Sequence, residues 1–526
     1  MKKLQSYVED RWHQADGGFV PLIDPCSEEE IAQASSRGID FGALVDHARR
    51  KGRPALQELT ISQRATMLVE MSKLLQAHRD ELITLSLSNT GSTRKDAKFD
   101  VDGGIFTLAH YGELGRALGE KPYFLDGEGV QLGRSARFWG QHLLAPLDGV
   151  ALQINAFNFP VWGFAEKAAC ALLAGVPVIT KPATSSALVA ARCVEVIVEA
   201  GLLPPGALSF VCGSAGDLVE RLGPQDVLAF TGSADTALKL RSKLNLLESS
   251  TRVNIEADSL NAALLGPDVD PAGETWALFI HDVEREMTQK TGQKCTAVRR
   301  ILAPAARMEE VQSALVERLS GVVLGNPRDS AVTMGPLATA QQLEDAVAGV
   351  AKLRQDGRLV LGDGARTDGR GNPPGKGFFF APTLLRADDA QAAATVHSHE
   401  VFGPVATLLA YDGDPARAAE LVARGGGSLV TSLYSDDRAF IQRYIGHGGS
   451  TSGRLYVGSE KVAGQLPGSG VAMPQLLHGG PGRAGGGAEL GGARGLELYL
   501  QRVAVSGDRA LLERLLGTRE TASRPQ

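Results

Sequence analysis

The chain of 526 residues is poor in cysteine, in aromatic side chains and in long apolar runs. Its five cysteines are odd in number and include no Cys-x-x-Cys pair. That excludes ribbon zinc sites and thioredoxin chemistry, and it suits free thiols in a reducing cytoplasm. The apolar run Ala168–Thr180 lies between Lys167 and Lys181 and is too short to span a bilayer. Met1 to Gln14 is charged and has no apolar core of the kind a signal peptide needs. A cytoplasmic protein without a membrane partner is expected. Charge of one sign is also scarce: 54 Lys and Arg against 60 Asp and Glu leave a net charge of −6. Such a balance gives no global attraction to nucleic acid. Glycine, by contrast, is abundant, with 62 residues, about 12% against roughly 7% in average proteins. No G-X-Y period accompanies it, so collagen is excluded. Nine of these glycines fall between Gly479 and Gly495.

The apolar pattern alternates between strand and helix periods over much of the chain. Met67, Met71, Leu74, Leu75, His78 and Leu82 predict an amphipathic helix over 62–82. A second is expected over 101–118, its start weakened by Gly103 and Gly104. Strands are predicted at 150–154, 176–180, 208–212, 226–230 and 252–256, with helices at 163–174, 185–200 and 234–245. This alternation implies a parallel, doubly wound α/β sheet with ligands at the strand C-terminal ends. A second α/β unit follows, with strands at 261–265, 296–303, 429–434 and 453–457 and helices near 271–289, 307–320, 338–354 and 414–423. Residues 362–377 and 462–495 read as loops, 496–505 as a terminal strand, and Thr518–Gln526 as a frayed end.

Several local patterns carry chemistry. Gly480-Pro-Gly-Arg-Ala-Gly485 matches GxGxxG, but no strand precedes it and no helix follows. Ala229-Phe-Thr-Gly232-Ser233 ends a strand and opens a helix, which suits an anion; Ser233 as a plain N-cap explains it equally well. Cys295 falls at a loop–strand junction, where Lys294 favours the thiolate only if it turns toward the sulfur. Cys26, Cys170, Cys193 and Cys212 sit in ordinary apolar contexts. His397 and His399 alternate as if on one strand face, yet catalytic zinc needs a third ligand, and no metal is expected. A thiol hydrolase needs a histidine beside its cysteine, and nothing in the sequence pairs His281 with Cys295.

Six motifs occur in an order that resembles the aldehyde dehydrogenase family. They are Asn155-Ala-Phe-Asn158-Phe-Pro, Thr180-Lys181-Pro-Ala, Phe230-Thr-Gly-Ser, Glu256-Ala-Asp-Ser, Gly292-Gln-Lys-Cys295 and Glu400-Val-Phe-Gly-Pro. Glu256-Ala-Asp-Ser-Leu-Asn261 and Leu477-His-Gly-Gly-Pro-Gly-Arg-Ala-Gly-Gly-Gly resemble most a branch acting on CoA-linked semialdehydes in aerobic breakdown of aromatic acids.

The resemblance implies Cys295 as nucleophile, Asn158 as oxyanion donor and Glu256 as the base for hydrolysis, with Lys167 and Glu489 as candidate proton relays. A solvated helix lysine is the competing reading of Lys167. Members that pass the acyl group to CoA lack the glutamate, so Glu256 favours a free acid. For the cofactor it implies Lys181 and Thr184 at the adenosine ribose, Thr231, Gly232 and Ser233 at the pyrophosphate, and Glu400 with Phe402 at the nicotinamide. NAD-preferring relatives often have a glutamate where this chain has Thr184; its absence favours NADP, with NAD possible. The implied architecture is a Rossmann-like cofactor domain (1–122 and 142–257), a catalytic α/β domain (258–493) and a bridging β element (123–141 and 494–507) that pairs a homodimer. A C-terminal tail (508–526) remains. The glycine-rich patch is expected beside the substrate channel, leaving room for a bulky CoA thioester. A catalytically silent protein on the same fold, and a thiol hydrolase, are the competing functions.

Overall fold

A computed structural model describes residues 2–465 and 467–517. Two seven-stranded sheets organise it. The first runs in the order Arg252–Glu256, Val227–Thr231, Ala151–Ile154, Val178–Lys181, Leu208–Phe210, Ser6–Val8 and Arg11–His13. The first five strands are parallel. Chain order reverses beside Ala151–Ile154, so a crevice opens at its C-terminal end, between Ile154 and Thr231. The second sheet repeats this winding around Ala262–Leu265, which lies between Arg300–Pro304 and Ser428–Tyr434. Its strands Gly357–Leu361, Thr383–Ala387 and Val405–Tyr411 complete one flank, and Ser452–Gly458 the other.

A separate three-stranded antiparallel sheet joins Phe124–Gln131 and Phe138–Pro146 to the distant Leu500–Asp508. Val130, Leu132, Phe138 and Val503 of this region are exposed apolar side chains. Among the described residues no helix is long and apolar enough to cross a membrane.

Several expected boundaries move. The predicted helix 62–82 is two helices, Ile61–Ala77 and Arg79–Asn89, because His78 leaves the helical region at φ −98°, ψ 10°. The first opens on a capping box between Thr60 and Gln63. The helix expected from 101 starts at Arg94, capped by Thr93, whose side chain accepts from the Asp96 amide. Gly103 does not weaken its start; it lies mid-helix, where the Trp162 ring occupies the space of a Cβ. The helix 234–245 breaks into Ala234–Arg241 and Leu244–Glu248. The strand expected from 296 begins at Arg300, since 293–299 is turn and loop.

The terminal strand is Leu500–Asp508, preceded by a 3₁₀ segment Gly492–Tyr499. What reads as a tail continues as a helix, Arg509–Leu516, capped by Asp508. The frayed end expected at Thr518–Gln526 lies outside the described residues. Within 462–495, read as loop, Leu477–Gly479 pairs antiparallel with Ala488–Leu490. His397 lies in a turn and His399 in the loop after it, rather than on a strand. The His397 ring is buried, 2.8 Å from the Ala390 carbonyl and 3.1 Å from Arg300 Nη1, which accounts for both ring nitrogens.

Candidate active site

Four chain segments converge at the crevice. Glu256 ends one strand of the first sheet and pairs in register with Thr231, which ends the next. Asn158 comes from the loop after Ala151–Ile154, and Lys167 from the following helix, Trp162–Ala174. Cys295 arrives from the second α/β unit, and His478 with Glu489 from the short hairpin, where the two are register partners. Asn158, Lys167, Glu256, Cys295 and His478 all line one cavity, which Phe159 and Trp162 also wall.

The loop before Cys295 is tightly constrained. Lys290, Thr291 and Gly292 all take left-handed conformations, at φ 53°, 57° and 65°. For lysine and a β-branched threonine this is strained backbone, held by surrounding contacts. Thr291 Oγ1 donates to the Gly335 carbonyl at 2.9 Å, and Lys290 Nζ sits 4.7 Å from the Phe159 ring centre. Asn261 Nδ2 then donates to the carbonyls of Cys295 (2.7 Å) and Ala297 (2.9 Å). At Gly292 a Cβ would collide with the Gly403 carbonyl. Gly292→Ala is therefore expected to lower stability by about 2–4 kcal/mol, through the left-handed penalty plus overpacking. A lower midpoint of thermal inactivation, with activity falling in parallel, is the measurement.

Cys295 is the one cysteine not fully buried; the other four are. Burial pushes the Cys26, Cys170 and Cys212 thiols up to about 12. The Cys295 thiol is also pushed up, by burial first and then by the Glu256 charge. The Lys294 charge favours the thiolate only as a minor effect, and its Nζ bonds to Glu286 at 2.5 Å and Gln289 at 2.8 Å rather than to the sulfur. Cys295 Sγ instead lies 3.6 Å from His478 Nε2, which lies 3.1 Å from Glu256 Oε2. Burial raises the Glu256 carboxyl, but the His478 charge and hydrogen bond and the Lys167 charge outweigh it and hold it at about 2. The pairing with His478 and the Lys167 charge thus favour the Glu256 carboxylate.

Lys167 is not a solvated helix lysine. It is buried, with Nζ 2.9 Å from Glu166 Oε1 and 3.1 Å from Glu489 Oε2. Asn254 Nδ2 donates to the other Glu489 oxygen at 3.1 Å. Burial, partly offset by the Lys167 charge, raises Glu489 to about 7, so it exchanges its proton near neutrality. Asn158 Nδ2 donates to the Gln293 carbonyl at 3.0 Å, two residues before the thiol.

The expected cofactor residues line the sheet edge. Thr231 Oγ1 is buried with no hydrogen-bond partner, a donor and acceptor left over for a ligand. Ser233 caps the helix Ala234–Arg241, its side chain accepting from the Thr236 amide, so the N-cap reading holds as well. Lys181 ends the strand Val178–Lys181 and donates to the Pro182 carbonyl at 3.0 Å, with Thr184 opening a 3₁₀ turn beyond it. Glu400 accepts from the Ser259 amide at 2.9 Å and from Arg299 Nε at 3.1 Å. Arg299 also stacks 5.4 Å from the Phe402 ring centre. These residues fit a nicotinamide dinucleotide laid across the strand ends.

The glycine-rich patch is packed on one side and open on the other, where Gly479, Gly480, Gly486 and Gly487 line a cavity of about 220 Å³. A Cβ at Gly485 or Gly487 would strike the Ile255 carbonyl, and one at Gly479 the Gly487 carbonyl. These glycines are required by backbone packed on backbone beside Glu256. His478 is the site residue that sequence reading missed. Its only signal was its place in Leu477-His-Gly-Gly; His281, weighed as a partner for the thiol, is exposed.

A crevice at the sheet's reversal point, with a thiol and a carboxylate on one cavity and an unpartnered threonine beside them, is compatible with a thiol-dependent dehydrogenase. The chain belongs to the aldehyde dehydrogenase family, whose model matches residues 12–505, and so is an NAD(P)-dependent oxidoreductase. It is 47% identical over 479 residues to the 3,4-dehydroadipyl-CoA semialdehyde dehydrogenase of Aromatoleum evansii, covering 91% of this chain and 93% of that one. Its fold matches betaine aldehyde dehydrogenase from Staphylococcus aureus in complex with NAD+ (TM-score 0.83, 22% identity, 96% and 94% of the two chains). Lactaldehyde dehydrogenase from Escherichia coli is similar to the same degree (TM-score 0.83, 23% identity, 96% and 99%).

Proposed function

We propose that the chain oxidises a CoA-linked aliphatic semialdehyde, 3,4-dehydroadipyl-CoA semialdehyde, to the carboxylic acid in aerobic benzoate breakdown, preferring NADP. The observation that carries this reading is the convergence of Cys295, Glu256 and Asn158 on one cavity. The substrate is supported by the similarity to the Aromatoleum evansii enzyme.

In this reading the Cys295 sulfur bonds to the aldehyde carbon and makes a thiohemiacetal. Asn158 Nδ2 and the Cys295 backbone N–H hold the oxyanion. When bound, the nicotinamide supplies the hydride acceptor. The remaining acyl group stays on Cys295 as a thioester. Glu256 takes a proton from water, the hydroxide adds to the thioester carbonyl, and the C–S bond breaks to release the acid. Lys167 and Glu489 carry the proton outward, which the near-neutral Glu489 suits. The sequence-based domains follow the same reading, with the three-stranded sheet as the dimer element; its exposed Val130, Leu132, Phe138 and Val503 support an interface there.

The deciding experiment is a panel of CoA-bound semialdehydes and free aldehydes of matched length, each assayed with NADP and NAD. A higher kcat/KM for CoA-bound substrates is expected. A strong preference for short free aldehydes would overturn the substrate.

The cofactor preference rests on Thr184, where no carboxylate repels a 2′-phosphate and Lys181 stands on the preceding strand. Thr184→Glu is expected to cut kcat/KM with NADP about tenfold or more, through charge repulsion of about 1.4 kcal/mol. NAD turnover should fall far less. A wild-type enzyme that prefers NAD sinks the inference.

A further inference from the structure

The position of His478 assigns it work that the steps above leave undone. Its Nε2 lies within reach of two reacting groups at once, 3.6 Å from the Cys295 sulfur and 3.1 Å from a Glu256 oxygen. The ring is buried, and its strand is fixed by tight packing on both sides. A Cβ on Gly479 would meet Gly487, and one on Gly453 would meet Gly479, so the backbone on either side of the imidazole is closely packed. Across the hairpin its register partner is Glu489.

Cys295 needs a proton acceptor, because burial and the Glu256 charge both favour the thiol over the thiolate. The other candidates are engaged. Lys294 is paired with Glu286 and Gln289, and Arg454 donates to the carbonyls of Val471 and Ser469. Glu256 lies against the imidazole at 3.1 Å, and the Lys167 charge favours its carboxylate. Lys167 is committed to Glu166 and Glu489. Of these groups the imidazole is the one with a nitrogen 3.6 Å from the sulfur.

We propose that His478 is a catalytic residue that takes the Cys295 proton and serves Cys295 and Glu256 in turn. From the neutral ring with Nε2 unprotonated, the S–H bond breaks, its proton passes to Nε2, and the electron pair stays on sulfur. The imidazolium N–H then lies between thiolate and carboxylate, both negative, and is stabilised by each. Once the sulfur is acylated it carries no charge, so the imidazolium loses half its support. It gives its proton to solvent, and Glu256 is freed from the ion pair to accept a proton from water. The charged groups that bear on this imidazole are Glu256, Glu166 and Arg454, while Lys167 and Lys294 act through the two groups it touches. Of these, the carboxylates favour the imidazolium, and the raised affinity of His478 for a proton follows from Glu256 outweighing burial.

The inference rests on Cys295 being the nucleophile, and the test separates the two. Full-length enzyme is alkylated with iodoacetamide across a pH series, and modification of Cys295 is read by peptide mass spectrometry. Wild type is expected to alkylate readily below neutrality, with its inflection at least about one pH unit under an ordinary thiol near 8.5. In His478→Gln the inflection should rise, and the rate at pH 7 should fall about tenfold or more. A His478→Gln profile that overlays wild type overturns the role of His478 and leaves the nucleophile standing. A wild-type inflection at or above the ordinary thiol value overturns it without any variant. Retained turnover in Cys295→Ala instead sinks the nucleophile itself.

Discussion

Cys295→Ala is expected to abolish aldehyde-dependent formation of reduced nicotinamide, with kcat falling at least about 10⁴-fold. The loss should be confined to chemistry. Asn261 holds the Cys295 backbone through its carbonyl, which the substitution leaves in place. Folding and nicotinamide cofactor binding, followed by thermal midpoint and fluorescence titration, should therefore match wild type. No other cysteine can substitute. Cys26, Cys170, Cys193 and Cys212 are buried, their thiols pushed up by desolvation. Turnover within tenfold of wild type would remove the covalent route altogether. It would then favour the reading of the fold as a binding protein or as an enzyme of different chemistry.

Glu256→Gln should separate the two halves of the reaction. The amide keeps the size of the side chain but cannot take a proton from water. The first half, which uses Cys295, Asn158 and the imidazole of His478, should still run once. A burst of about one equivalent of reduced nicotinamide per site is expected, followed by a steady rate reduced about 10²–10⁴-fold. Quenched samples should show the acyl group on Cys295 by mass spectrometry. Loss of the burst together with the steady rate would instead place Glu256 in the activation of the thiol. The ion pair adds a structural cost, because a neutral amide in place of the carboxylate leaves the buried His478 ring without its charge partner.

Much of this centre was legible before any coordinates, and the reasons are physical. The alternation of short buried strands with helices over 150–256 survives folding because each strand is apolar on both faces, as at Val227–Phe230. Cys295, Glu256 and Asn158 are legible because their short motifs, taken together and in order, resemble those of the family; no one of them stands out locally. Other elements had weaker signals. The strands Gly357–Leu361, Thr383–Ala387 and Val405–Tyr411, and the helix Arg438–Gly448, went unread. Three-residue strands such as Leu477–Gly479 carry no readable period. Lys167 and Glu489 were placed by resemblance, yet their ion pair joins side chains 322 residues apart, which no local pattern encodes. His478 was hidden for the same reason: its meaning lies entirely in what stands beside it.

The glycine-rich hairpin also sets an order in time. Gly487 donates to the Ile255 carbonyl and Ala257 to the Ala484 carbonyl, each at 3.0 Å, a miniature ladder across the last strand of the first sheet. Asn254 and Glu489, bonded in the same seam, are 235 residues apart in the chain. Contacts of such separation bear a large loop-closure entropy and form after the sheets that present their partners. While the chain is still assembling, then, Cys295 has no imidazole at its side and is one ordinary thiol among five. The sulfur becomes dangerous to aldehydes only when the chain's final tenth has locked down over it, so reactivity arrives as the closing event of folding rather than during it.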